Sequence, residues 1–310
     1  MQYLYLALAV LTSGYSGVCY KRVSAGSRSR ADSALMPVIW FVPLTVVFLV
    51  IALATGGIDA SAGVLLPALM GGIASAVCAY SLLESMKANS YSLAIIIVNL
   101  SFIFPVIFSA IFLQEKFHIL QFIGMILAVA VILILNVGKG EGRSTPLALA
   151  LAVLSSLGNG LIDFSIKIQQ NSMPGEGEYS FFFFTYLFAT AICIIMYPFF
   201  RTAGNISRKK SEDIDSEEER DRHKFDRKFF AGTVVPGLLI AVCNGVCFFS
   251  VSRLTGWMNA AAEFTVITSL SIVISLVVGF VRMRQKLTWR EIVSLIFCAV
   301  AIVCQYLNLI

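Results

Sequence analysis

The sequence predicts an all-α polytopic membrane protein of ten transmembrane helices, arranged as an inverted five-plus-five repeat. Three observations carry that expectation. The first is composition: 58% of the 310 residues are hydrophobic and only 13% are charged, with a mean hydropathy of +0.85. A soluble domain carries about 25% charged residues, so lipid is the solvent here. In lipid the backbone must satisfy its own hydrogen bonds, which leaves helices or a closed barrel. Long apolar runs without strict alternation select helices. The second observation is duplication. Residues 4–17 (LYLALAVLTSGYSG) align without gaps on 147–160 (LALALAVLSSLGNG), with nine identities among 14 positions, Ser13/Ser156 and Gly17/Gly160 among them. The third is the stretch 99–136, two apolar runs joined by Gln114-Glu115-Lys116, whose pattern recurs around Gln285-Lys286.

The spans are expected at residues 3–20, 35–54, 63–83, 91–113, 119–137, 147–166, 179–200, 229–250, 259–281 and 291–309. Each is close to the ~20 residues that cross a hydrocarbon core of roughly 30 Å. The first resembles a signal peptide in length, but it lacks a basic leader and matches the sixth span, so it is read as structure. Gly71-Gly72 in the third span, Gly158-Asn159-Gly160 in the sixth and Gly245 in the eighth let helices approach closely. Thr288-Trp289-Arg290-Glu291 is a capping-box pattern that opens the last span. Trp40, Trp257 and Trp289 are expected near the membrane interface, where amphipathic rings gather.

Five spans per half is an odd number, so the halves run in opposite directions across the membrane. The first repeat is expected over 1–140 and the second over 141–310. The alignment offset is 143 at the start of the repeats and 170 at their end. The difference nearly equals the charged segment 201–228, which is read as a loop inserted into the second copy and solvated rather than partner-binding. Of the 23 Lys and Arg, 20 fall in the connections after odd-numbered spans. The positive-inside rule makes those connections cytoplasmic and puts both termini outside.

Little in the chain suggests catalysis. It has no Gly-rich phosphate loop, no Ser-His-Asp set and no HExxH, and both His residues, His118 and His223, fall in connections. The seven Cys lie within or at the ends of spans; Cys243 and Cys247 share a helix face but have no nearby His or acid to complete a metal site. No enzyme activity, cofactor, metal or nucleic-acid partner is expected.

Polar groups inside apolar helices cost free energy and so attract attention. Asn99 and Asn244 sit in the middle of the fourth and eighth spans. Each either contacts a polar substrate or makes a helix–helix hydrogen bond, worth about 0.6 kcal/mol on average. Asp163 is one turn before Lys167, and the two are expected to pair at i, i+4. Tyr80 and Glu84 share a face at the cytoplasmic end of the third span, where a solvated carboxylate is the simpler reading. Glu263 lies four residues into the ninth span with no basic residue one turn away; it is either part of the site or paired with Arg253.

Pro105, Glu115, Gln121 and Gly124, in an apolar helix, a short connection and a second helix, resemble the motif of the drug/metabolite transporter superfamily, in particular its EamA-type members. The resemblance covers essentially the whole chain. The second copy departs from it, with Gln285 for the acid and Ser294 for the glycine. The resemblance implies that the fourth and ninth spans border a central cavity, which puts Glu263 first among the candidates. It also implies cytoplasmic termini, opposite to the basic-residue bias. The expected function is secondary active transport of a small polar or amphipathic metabolite by alternating access. Its partners would be the substrate, the lipid bilayer and a proton or other coupling ion, in a bacterial inner membrane or other plasma membrane. A lipid-linked-sugar flippase and a non-transporting scaffold or sensor are the alternatives.

Overall fold

The computed structural model describes residues 2–27, 29–88, 98, 100–116, 118–136, 146–209, 230–255, 259–283 and 289–306. These form α1 (Gln2–Gly26), α2 (Arg30–Leu35), α3 (Val38–Thr55), α4 (Ala62–Ala88), α5 (Ile103–Phe112) after a 3-10 turn at Leu100–Phe102, and α6 (Ile119–Asn136). The second half contributes α7 (Pro146–Ser172), α8 (Glu178–Lys209), α9 (Val235–Thr255) after a π turn at Phe230–Val234, α10 (Ala260–Met283) and α11 (Trp289–Tyr306). There is no strand among the described residues. Arg30–Thr55, Ala62–Lys87, Pro146–Ser172, Glu178–Thr202 and Gly232–Thr255 are long and apolar enough to cross a membrane, with shorter apolar helices elsewhere. The predicted fold class holds.

The packing carries the duplication. α4 of the first half packs most heavily on α7 of the second, and α1 packs on α9, which is the same pairing with the halves exchanged. Likewise α4 with α8 mirrors α9 with α3, and α5 with α7 mirrors α10 with α1. The pairs α3–α8 and α6–α11 are their own images. Each helix therefore buries its face against the other repeat, and neither five-helix unit has a complete core alone.

Several helices outrun the hydropathy. α7 extends from the predicted end at 166 to Ser172, because Lys167 and Gln169 are buried against neighbours and keep the backbone helical past the first charges. A short helix that hydropathy does not announce, α2, starts at a capping box. Ser29 Oγ accepts from the Asp32 backbone N–H at 3.0 Å, and the Ser29 N–H donates to Asp32 Oδ2 at 2.8 Å. Trp289 is exposed. Trp40 is not interfacial: it is fully buried, edge-on to Tyr20 and Phe41 at 5.7 Å from each. Trp257 and Thr288 lie outside the described residues.

The glycines permit the α4 contacts. A Cβ on Gly72 would lie 2.6 Å from Phe188 Cβ and 2.9 Å from the Thr185 carbonyl oxygen of α8, and one on Gly158 would lie 3.0 Å from both Ala74 O and Cys78 Cβ of α4. Overpacking of this kind costs typically 1–3 kcal/mol. Gly72→Ala is therefore expected to lower the thermal midpoint of the purified protein measurably, whereas Gly232→Ala, with nothing within 4 Å, is expected to leave it unchanged. Equal midpoints for the two variants would remove the close-packing account.

Candidate functional site

Between the repeats lies a cavity of about 170 Å³. From the first repeat it is walled by Ser13, Ser16, Gly17 and Tyr20 of α1, by Cys78 and Leu82 of α4, and by Ser101 and Phe102 before α5. From the second come Asn159 and Asp163 of α7, Asn244, Cys247 and Phe248 of α9, and Phe264, Ile267 and Thr268 of α10. Asn159 and Asp163 reach the same space because they are one turn apart on α7. Asn244 Nδ2 donates to Tyr20 Oη at 2.7 Å, and Asn159 Nδ2 donates to Ser101 Oγ at 2.8 Å. Both bonds cross from one repeat to the other. Asp163 is 8% exposed, and among the described residues its carboxylate has neither a hydrogen-bond nor an ion-pair partner.

The expected Asp163–Lys167 pair does not form. Lys167 Nζ instead donates to Glu115 Oε1 at 2.7 Å, with Lys167 only 3% exposed. The i, i+4 spacing permits a pair along α7, but Glu115 approaches from the α5–α6 connection and offers a second anchor. Its Oε2 accepts the Ala260 backbone N–H at 3.0 Å, at the start of α10. An anion at a helix N-terminus is stabilised by the free N–H groups there. Beside it, Gln121 and Asn259 bond reciprocally at 3.1 and 3.2 Å, and Asn259 Oδ1 caps Ala262 N at 3.0 Å. The motif residues Glu115 and Gln121 of the first repeat thus hold the N-terminus of α10 in the second. This network lies one turn beyond the cavity wall along α7 and α10.

Glu263 is 0% exposed and lies outside the cavity lining. Both of its oxygens are 3.1 Å from Thr255 Oγ1, which is also 3.0 Å from the Val251 carbonyl oxygen. Arg253 does not pair with it. That guanidinium bonds Glu178 Oε2 at 2.7 Å and Tyr179 Oη at 3.4 Å, and sits 5.1 Å from the Phe249 ring centre. Tyr80 also stands apart, stacked on Phe200 of α8 at 4.7 Å, while Glu84 pairs with Lys87 at 2.6 Å. Asn99 lies outside the described residues. The structure therefore brings Asp163 and Asn244 to one cavity and leaves Glu263 and Tyr80 outside it. Asn159 and Tyr20 join that cavity unannounced. In the sequence Asn159 stands in a small-residue stretch, and its amide one turn before Asp163 is the signal that points to the cavity.

Chemically, the site offers one carboxylate, amides and hydroxyls, with aromatic walls. None of the seven cysteines is in a disulfide, and among the described residues no three His, Cys, Asp or Glu gather as a metal site. A cavity between two repeats of membrane-length helices is the architecture of a membrane carrier. The EamA-like transporter family model matches residues 1–137 and 146–307, one copy per repeat, and the chain belongs to that family. It is a multi-pass membrane protein with a transporter's role; members of the family are transporters rather than enzymes. None of the curated proteins compared with the chain matches it. A solved structure described only as "Crystal structure of protein" superposes with a TM-score of 0.68 at 14% identity, over 99% of this chain and 96% of that one. At that identity the likeness concerns the fold alone.

Proposed function

We propose that the protein is a secondary active transporter that moves a small polar or amphipathic metabolite by alternating access. One observation carries the reading: the Glu115–Lys167 pair and the Glu115–Ala260 bond tie the repeats together one turn beyond a central acid-lined cavity. A closed polar network at one end of a binding space is what a gate requires, since access from that end needs those bonds broken. Asp163 and Asn244 are the substrate contacts, Glu263 is the coupling residue, and Asn99 and Tyr80 are retained as candidates. The repeats are 1–140 and 141–310, with the charged segment 201–228 inserted into the second, its first nine residues continuing α8 to Lys209. The flippase reading is weaker, because a lipid-linked sugar carries a phosphate and the described lining contains no Lys, Arg or His to meet it.

Counter-flow in proteoliposomes preloaded with pooled small metabolites is the direct test. Saturable exchange of a soluble metabolite supports the reading, exchange of lipid-linked sugar alone gives the flippase, and no exchange gives the scaffold. The basic-residue bias also places both termini outside a plasma membrane. A reporter active only in the cytoplasm, fused after Ile310, is expected to stay silent, and a strong signal would reverse the orientation without touching the repeat.

A further inference from the structure

The cavity's carboxylate and amides present open acceptors, beside hydroxyls such as Tyr20 and Ser101 that can still donate. Asn244 and Asn159 each spend an amide N–H on a partner across the repeat boundary, on Tyr20 and Ser101. Their Oδ1 atoms have no partner among the described residues, and neither do the two oxygens of Asp163. The described lining holds one carboxylate and no cationic side chain. A carboxylate 92% buried without a counter-charge is costly to leave so. An ammonium group answers the unpaired carboxylate and the amide oxygens together, since it brings three donors and a positive charge. Phe102, Phe248 and Phe264 supply apolar wall for the rest of the molecule.

We propose that the cavity binds small organic amines, with the ammonium held by Asp163 and the amide oxygens of Asn159 and Asn244. This rests on the transporter reading of the same cavity and narrows it to a substrate class. The site discriminates in three ways. A neutral alcohol of the same skeleton leaves Asp163 without a counter-charge. A carboxylate or zwitterion brings an anion that meets no cation. A trimethylated amine keeps its charge but has no N–H for the amide oxygens.

The test uses the purified full chain in nanodiscs and its thermal midpoint. The probes are 2-phenylethylamine, cyclohexylmethylamine and 1-aminohexane, each compared with its alcohol and its trimethylammonium analogue. At least one amine is expected to raise the midpoint saturably, its trimethyl analogue less and its alcohol not at all. Asp163→Asn is expected to bind that amine at least about tenfold more weakly, because a buried charge pair has lost one member. Should Asp163→Asn fail to insert, Asn159→Leu is read in the same way, with a smaller loss expected. Overturning results are that no amine exceeds its alcohol, or that Asp163→Asn binds amine as the parent does. Gradient-driven uptake of a neutral solute that is lost in Asp163→Asn would assign the residue to proton transfer and also overturn the proposal. Counter-flow separates the two readings. Exchange confined to neutral or anionic metabolites leaves transport standing and removes the amine, whereas amine binding without any exchange removes transport and leaves the amine.

Discussion

Lys167→Met is expected to raise the rate at which a membrane-impermeant maleimide, added from the side of the even-numbered connections, labels Cys247 by about tenfold or more. Cys247 lines the cavity, and Lys167 lies one turn beyond that wall. The measurement uses a chain whose other six cysteines are Ala. Breaking one side of a buried ion pair costs about 3–5 kcal/mol, much of it from the charge left behind, and each 1.4 kcal/mol moves an equilibrium tenfold. Here the loss falls on the conformation in which the pair exists, so the open conformation gains population. Glu115→Gln should act in the same direction but less strongly, because the amide oxygen still accepts the Ala260 N–H. The double variant Glu115→Gln/Lys167→Met should fall below the sum of the two, since no unpaired charge remains. Exchanging the two charges should not restore the parent, because a lysine would then face the N-terminus of α10. Unchanged labelling in both single variants would leave the pair as ordinary structure and remove the gate.

The same pair shows what the sequence carries and where it stops. Hydropathy and the 4–17/147–160 match report helix number and duplication, because lipid burial acts on every residue of a span and leaves a long signal. Spacing along a helix reports only partners on that helix. It offered Lys167 to Asp163 and left Arg253 for Glu263, whereas both cations are taken by carboxylates from other segments, Glu115 and Glu178. The first contact follows from how the repeats cross and the second from how α8 and α9 meet within the second repeat, which no local pattern encodes. Glu115 and Gln121 were legible as motif residues but not as anchors of α10. Trp40 was placed at the membrane surface because it sits near a span end. The ring instead packs in the core, edge-on to Tyr20 and Phe41.

Glu263→Gln is expected to keep the protein folded, inserted and able to exchange substrate, yet to abolish accumulation against a gradient. Thr255 Oγ1 has one hydrogen and three acceptors within reach: Val251 O at 3.0 Å and the two Glu263 oxygens at 3.1 Å. If that hydrogen goes to the carbonyl one turn back, as helical threonines commonly arrange, the Glu263–Thr255 contact needs a hydrogen from the acid. A neutral Glu263 supplies it. The ionised form would sit fully buried without a salt bridge of its own: Lys167, whose charge reaches it, is bonded to Glu115, and Arg253 to Glu178. An isolated charge at such a site costs several kcal/mol. On this reading Glu263 is expected to hold a proton in this conformation and to release it only when the Thr255 contact opens to water. An amide preserves that contact, because its N–H can donate to Thr255, but it cannot release a proton in any conformation. Uptake driven by a pH gradient should fall to passive equilibration, while gradient-free counter-flow persists. Thr255→Val should have the opposite profile, weakening the closed packing while leaving the acid able to titrate, so coupling survives at reduced stability. Loss of counter-flow and accumulation together in Glu263→Gln would make the residue a substrate contact or a structural one. Normal accumulation with unchanged pH dependence would remove it from the mechanism.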